Sequence, residues 1–337
     1  MTKPASGLKV LHVNDCANYA HRVLAEAVGR GYEWGYYPRA EADPGRSGIL
    51  GVLSYAGRGA SWLAGLALRS LRVDLLHIHS GSMLHHTRFV PKKYVLTLHG
   101  TDIRTLQYDP RWQKPIRDGV RRAAAVMYTT PDLREHVIGL RPDAIYLPVP
   151  ITLSALPHRT EDAAQRRRVF FVSRWDDSKG AEAQLATAGL LADQLPADYE
   201  LVGLDWGPQS REAAAVGVTL VPRMSHQAFL EYLSGCSVAI GQSSGLLGSS
   251  ELEALGIGVP LYMPLMEGLY PDKPPVGWGS TVDPETMVDR LLTDLADSSA
   301  QERRSDDGVR WVVRHHSTAA TVDSLLKIYD LAANTDK

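Results

Sequence analysis

Two cations, Arg174 and Lys179, stand five residues apart in the run Val172-Ser-Arg-Trp-Asp-Asp-Ser-Lys-Gly180. They follow Arg168-Val-Phe-Phe-Val172, an apolar run that reads as a buried strand. They precede Gly180-Ala-Glu-Ala-Gln-Leu-Ala, which reads as a helix start. The carboxyl end of a parallel strand is where α/β proteins bind ligands. A planar guanidinium fork beside a compact ammonium suits a diphosphate, because both donate charge-assisted hydrogen bonds to phosphate oxygens. Taken alone, the pair fits a solvated cationic loop equally well.

Three further segments carry groups able to do chemistry. His99 ends the run Tyr94-Val-Leu-Thr-Leu98 and precedes Gly100, whose missing side chain lets backbone approach a ligand. Asp102 and Arg104 follow on the turn, where Asp102 also fits a helix cap. Gly241-Gln-Ser-Ser-Gly-Leu-Leu-Gly248 runs through Ser249 and Ser250 into Glu251, a small-residue loop entering a helix, whose open N–H groups favour an anion. Asn14-Asp-Cys-Ala-Asn-Tyr19 fills the first strand-to-helix loop, where its side chains either bind hydroxyls or close Asx turns and cap the helix. His77 and His79 lie two apart on a predicted strand, so they share one face and read as structural. His85-His86 reads as a surface turn. Neither these pairs nor Cys16 and Cys236 show metal-ligand spacing, and no metal site is expected.

These loops need a scaffold, and the apolar runs supply one. Leu8–Val13, Tyr32–Tyr37, Leu75–His79, Tyr94–Leu98, Ala123–Tyr128 and Ala144–Leu147 read as strands. A helix runs through Val28 with Gly29 as its stop, residues 38–53 read as a Gly/Pro-rich loop, and Ser54 to Leu71 reads as a helix. Pro148-Val-Pro150 to about Gln165 is polar and aperiodic, as a hinge would be. The alternation restarts with Val169–Val172, Tyr199–Val202, Val218–Val221, Ser237–Ile240 and Val259–Tyr262 as strands, a helix at Gln227–Ser234, and closing helices at Arg310–Ser317 and Thr321–Tyr329. Strands alternating with helices predict two doubly wound parallel sheets in tandem, an α/β protein.

At 337 residues the chain is long enough for two such domains, expected at 1–150 and 166–312, with 313–337 closing the structure. Apolar residues make up 44% and charged residues 22%, a globular profile with no eighteen-residue apolar stretch. The first nine residues hold no apolar signal core, and two cysteines in different domains fit a reducing cytoplasm. Charge is split unevenly. Residues 1–150 hold 20 Lys/Arg against 12 Asp/Glu, and the remainder 16 against 26. A basic first half predicts an anionic acceptor, an anionic membrane surface or the acidic second half as its counterpart. Arg111, Lys114, Arg117, Arg121 and Arg122 cluster around Trp112, either as a contact for anionic head groups or as a solvated helix face. Few aromatics interleave the basic residues, so nucleic-acid binding is not expected.

Three of these segments, Leu98-His-Gly-Thr-Asp-Ile-Arg104, the Arg174/Lys179 run and Glu251-Leu-Glu-Ala-Leu-Gly-Ile-Gly-Val-Pro260, come in the order found in retaining glycosyltransferases of family 4, and the chain resembles that family over nearly its whole length. The resemblance implies a GT-B fold: two Rossmann-like domains facing a cleft, with the last helix crossing back to the first domain. It implies metal-independent sugar transfer, with retained anomeric configuration, from a UDP- or GDP-linked sugar to a hydroxyl-bearing small-molecule, glycan or lipid-linked acceptor. The nucleotide sugar is a co-substrate, and no cofactor is expected. In that family's terms His99 reaches the transferred sugar, Arg174 and Lys179 hold the diphosphate, and Glu253 binds the ribose. The loop Gly245, Leu246, Leu247, Gly248 meets the donor sugar, and Arg223 and Met224 lie against the base. Asn14, Asp15, Asn18 and Tyr19 stand where the acceptor would bind.

The chain departs from the family pattern in four places. Trp175 replaces a small aliphatic residue and Ser173 a glycine, the first loop has no glycine cradle, and Gly245 stands where a glutamate contacts donor-sugar hydroxyls. Gly245→Glu is therefore expected to redirect donor choice, provided the loop tolerates a side chain. A sugar-nucleotide epimerase of similar architecture and a non-catalytic sugar-nucleotide-binding subunit are the alternatives. The missing glutamate favours the second.

Overall fold

A computed structural model describes residues 7–39, 48–160, 162, 166–266, 268–270, 272–276 and 283–334, with residues 48–56 described by backbone only. The chain forms two compact units, Met1–Pro150 with Thr318–Lys337 and Ile151–Ser317. The first contains β1 (Val10–Val13), α1 (Tyr19–Gly29), β2 (Trp34–Tyr37), α2 (Gly48–Ser70), β3 (Leu75–His79), α3 (Leu84–Thr87), β4 (Tyr94–Leu98), α4 (Thr101–Arg104), α5 (Pro110–Arg122), β5 (Ala125–Tyr128), α6 (Leu133–Val137) and β6 (Ile145–Tyr146). The second contains β7 (Arg168–Phe171), α7 (Ala181–Gln194), β8 (Glu200–Leu204), α8 (Ser210–Ala215), β9 (Thr219–Val221), α9 (His226–Ser234), β10 (Val238–Ile240), α10 (Ser249–Ile257), β11 (Leu261–Tyr262), α11 (Pro284–Leu295) and α12 (Ser298–His316). The chain then returns to the first unit as α13 (Thr318–Asn334). Both crossings lie together, because Ile151 bridges Ser317 in parallel and donates its N–H to the His316 carbonyl at 2.6 Å.

Every strand pair is parallel, and the sheet orders are β2-β1-β3-β4-β5-β6 and β11-β10-β7-β8-β9. The central strands β1, β3 and β10 are buried along their whole length, which is why they read as unbroken apolar runs, whereas the edge strands β6 and β9 are partly exposed. The order reverses between β1 and β3 in the first unit and between β7 and β10 in the second. At such switch points adjacent loops diverge and leave a crevice beyond the strand ends.

One expectation changes. The segment read as loop over residues 38–53 is helical from Gly48 onward, with residues 40–47 outside the described part. A glycine costs a helix about 1 kcal/mol, and Gly48 and Gly51 do not stop one that runs on to Ser70. In α5, Asp109 caps the N-terminus by accepting from Arg111 N at 2.8 Å, and Pro110 opens the first turn. Arg111, Lys114, Arg121 and Arg122 are exposed on this helix, and Arg117 is half-buried. Lys114 pairs with Asp118 at 3.0 Å, so the basic cluster is partly neutralised. No helix of the described residues is long and apolar enough to cross a membrane.

Candidate functional site

In the second unit the switch point gathers the loops that follow β7 and β10. Lys179, at the end of the β7 loop, donates through Nζ to Gln242 Oε1 at 2.9 Å, and its carbonyl accepts from Ser243 N at 2.8 Å. The two loops are thus tied into one wall. Arg174 lies on the same loop, half-buried, with Nη2 3.3 Å from Ser178 Oγ and 3.6 Å from Asp176. Its Nε is buried without a hydrogen-bond partner. A buried N–H left in that state costs about 1–3 kcal/mol, a penalty that an anionic ligand would relieve.

Trp175, the departure from the family pattern, is fully buried. Its indole donates to the Leu204 carbonyl at 3.0 Å and packs on Phe171. A Cβ at Gly203 would lie 2.7 Å from the ring, so the space that admits the indole exists because residue 203 has no side chain. Trp175 therefore anchors the loop from below and leaves Arg174 and Lys179 to face upward. Ser173 is likewise structural, accepting from Gln184 Nε2 at 2.6 Å.

The second carboxylate segment divides its labour. Glu251 is buried and accepts from Gln242 N and from Gly248 N, each at 3.0 Å. Glu251 thus satisfies the N-cap amide of α10 and ties it to the loop after β10 through Gln242. Glu253, two residues on, is also buried, and its Oε1 lies 2.9 Å from His226 Nε2, an exposed ring at the start of α9. Ser225 caps α9 and so sets the place of His226.

Gly245 has φ +81°, and a Cβ there would lie 2.6 Å from Met266 Cγ. The provision attached to Gly245→Glu therefore carries a cost: the left-handed backbone strains any side chain there before sugar chemistry arises. Met266 is 49% exposed and can move, so left-handed strain of about 1–2 kcal/mol dominates. Gly245→Ala should lower the stability of this unit by about that amount in urea unfolding. An unchanged midpoint would refute it. Leu247 N donates to Tyr270 Oη at 2.8 Å, Leu246 and Gly248 are half-buried, and Met224 is partly exposed.

Arg223 does not project freely. Its guanidinium lies 4.6 Å from the centroid of the exposed Trp206 ring, and Arg174 approaches the same ring at 5.9 Å. Trp206 follows the carboxyl end of β8 and joins the diphosphate candidates to the base candidates. It escaped sequence reasoning together with Gln242 and His226. An aromatic two residues beyond a strand end was the available signal for Trp206, whereas the other two had none.

In the first unit His99 stands at the carboxyl end of β4, half-buried. Asp102 fixes the turn around it. The buried carboxylate accepts from Gly81 N at 2.8 Å, from Gly100 N and Ile103 N at 2.9 Å, and from His99 N at 3.2 Å. It is thus more than a cap, since it joins the loops after β3 and β4. The first loop is largely self-satisfied. Asn14 Nδ2 donates to the His79 carbonyl at 2.9 Å, while Asp15 accepts from Ala20 N at 2.8 Å and lies 2.7 Å from His21 Nδ1. Asn14 and Asp15 therefore close the turn, and Asn18 is exposed. Tyr19 is buried edge-on to the His99 ring at 5.2 Å.

Behind His99 lies a group that the sequence showed only as scattered residues. His12, His77 and His79 are fully buried, with ring nitrogens within 4.8 Å of one another. That spacing could hold a cation, but every one of their nitrogens already has a hydrogen-bond partner. Burial lowers the pKa of His12 to about 3 and that of His77 and His79 well below the usual range, with neighbouring rings adding to the effect at His77 and His79. His99 falls to about 4 by burial, against the pull of Asp102 and Asp15. All four rings are neutral at pH 7.

No protein-family model matches the chain, and no curated protein sequence matches it. Solved structures do. The fold is similar to that of a sucrose-phosphate synthase from Thermosynechococcus elongatus, over 95% of this chain and 98% of that one, at 15% identity and a TM-score of 0.72. It is similar to HepE from Anabaena, solved with UDP-glucose, over 96% and 99%, at 11% identity and a TM-score of 0.70. A glycosyltransferase from Rickettsia africae aligns over 98% and 100%, at 10% identity and a TM-score of 0.68. The chain has the GT-B fold.

Proposed function

We propose that this GT-B chain transfers a glycosyl unit from a nucleoside diphosphate sugar to a hydroxyl-bearing acceptor, with retained anomeric configuration and without a metal ion. The observation that carries this reading is the pair Arg174 and Lys179 at the β7/β10 switch point, tied to the neighbouring loop through Gln242. As the bond between the sugar C1 and the diphosphate breaks, negative charge grows on the departing oxygen. Fixed cations there stabilise the transition state more than the ground state. The acceptor oxygen bonds to C1 on the same face, and its proton passes to the leaving phosphate. Glu253 holds the ribose hydroxyls, with His226 beside it. Trp206 and the Arg223–Met224 segment offer a face for the base. His99 meets the sugar, and the loops of the first unit receive the acceptor. The complex of HepE with UDP-glucose supports a UDP-linked donor.

Calorimetric titration with UDP, GDP and UDP-glucose tests the donor site, followed by product analysis in excess chelator. Binding of a nucleoside diphosphate and chelator-resistant release of sugar are expected. If no nucleotide binds, the reading fails. If chelation abolishes turnover and magnesium or manganese restores it, the side-chain clamp is not what carries the leaving-group charge. Binding without any sugar release would instead indicate a non-catalytic subunit.

A further inference from the structure

The buried histidines form a single file. His99 Nε2 lies 3.2 Å from His79 Nδ1, and His79 Nε2 lies 3.0 Å from His12 Nδ1. His12 Nε2 lies 3.3 Å from Tyr329 Oη, Tyr329 Oη 2.6 Å from His77 Nδ1, and His77 Nε2 2.7 Å from Thr97 Oγ1. The members come from β1, β3, β4 and α13, on the sheet face whose apolar cluster includes Val10, Leu75, Val95 and Tyr329. Each neutral imidazole has one N–H and one lone pair, so the links on either side of a histidine point the same way, and the Tyr329 hydroxyl proton decides the direction between His12 and His77.

The distances set that direction. Hydroxyl donors make shorter hydrogen bonds than N–H donors. The 2.6 Å contact is therefore Tyr329 O–H donating to His77 Nδ1, and the 3.3 Å contact is His12 Nε2–H donating to Tyr329. Burial raises the Tyr329 pKa well above its ordinary value, so the hydroxyl keeps its proton. His77, accepting at Nδ1, donates from Nε2 to Thr97, the less acidic hydroxyl. In the other direction His79 donates from Nε2 to His12, and His99 donates from Nε2 to His79.

We propose that His12, His77, His79 and Tyr329 are positioning residues that hold His99 as the Nε2–H tautomer, so that its Nδ1 lone pair accepts a hydroxyl of the bound sugar. Among the described residues Nδ1 of His99 has no protein partner. The role of the lone pair rests on the reading of His99 as a sugar contact, whereas the tautomer itself does not. An imidazole held this way selects a hydrogen-bond donor at that point of the ligand and can take a proton on Nδ1 without disturbing the file behind it.

Nitrogen-15 spectra of the histidine-labelled full chain at pH 7.5, assigned through single-histidine variants, read the tautomers directly. His12, His77, His79 and His99 should all be protonated at Nε2 alone. Protonation at Nδ1 of any of the four overturns the proposal, and this measurement needs no variant of the file to fold. His79→Leu removes the link to His99 and the link to His12, whereas His79→Gln retains an acceptor for His99 and a donor for His12. His99 should become a tautomer mixture in His79→Leu, with turnover lowered and nucleotide affinity unchanged. His79→Gln should recover the single tautomer and much of the turnover. A His99 that stays a single Nε2–H tautomer in a folded His79→Leu protein overturns the coupling. Should no donor ever be turned over, the proposed function fails while the spectra still decide the tautomers.

Discussion

Lowering the pH from 7 to 5 should strongly destabilise the unit that holds His12, His77, His79 and His99. Burial depresses all four pKa values, to about 3 for His12 and about 4 for His99, with His77 and His79 well below the ordinary value. The unfolded chain binds a proton at each near pH 6.5, where the folded chain does not. Below that pH the unfolded state holds more protons, so stability falls as pH falls and is fully present only above about pH 6.5. One such histidine costs about 1.4 kcal/mol per pH unit, and four together cost about 5 kcal/mol per pH unit. A domain stability of roughly 5–15 kcal/mol is exhausted within about one to three pH units. Aspartates and glutamates titrate mainly below pH 5, so loss between pH 6.5 and 5 isolates the histidines. Urea unfolding at pH 7.5, 6 and 5 measures it, and a midpoint that does not move over this range would show that the rings are not held neutral.

Arg174→Ala and Lys179→Met should each weaken nucleoside diphosphate binding by about ten- to 150-fold, because a hydrogen bond to a charged group contributes about 1.5–3 kcal/mol. Both proteins should fold. Arg174 is held by Ser178 and Asp176 on its own loop and by the exposed Trp206 ring, none of them in the core. When Lys179 loses its ammonium, Gln242 Oε1 still accepts from Ser244 Oγ at 2.9 Å, so that acceptor keeps a partner. Arg174→Ala also deletes the buried, unpartnered Nε, so its melting temperature should hold steady or rise. Turnover should fall further than affinity, since the charge on the diphosphate is greatest in the transition state. Unchanged nucleotide affinity in both variants would move the donor site away from this switch point.

Much of this protein was legible in the sequence because its information is local. An apolar run followed by Arg174 and Lys179, or by His99 and Gly100, names a strand end and the groups standing on it, and both places hold in the fold. Periodicity likewise placed His77 and His79 on one face of β3. What lies opposite that face is a tertiary matter. His77 meets a tyrosine 252 positions away, on a helix that reaches the first unit only after the chain has passed through the second. Glu253 faces His226, and Lys179 faces Gln242, for the same reason: neighbouring strands and helices bring distant loops together, and no spacing in the chain encodes the distance. Gly245 shows the converse. Its residue type was visible as a missing glutamate, but only the backbone, with φ +81° and Met266 against it, shows that any side chain there is strained. The sequence by itself therefore determined which groups stand at the strand ends, while the tertiary structure decided which of them face one another and which hydrogen bonds they have left for a ligand.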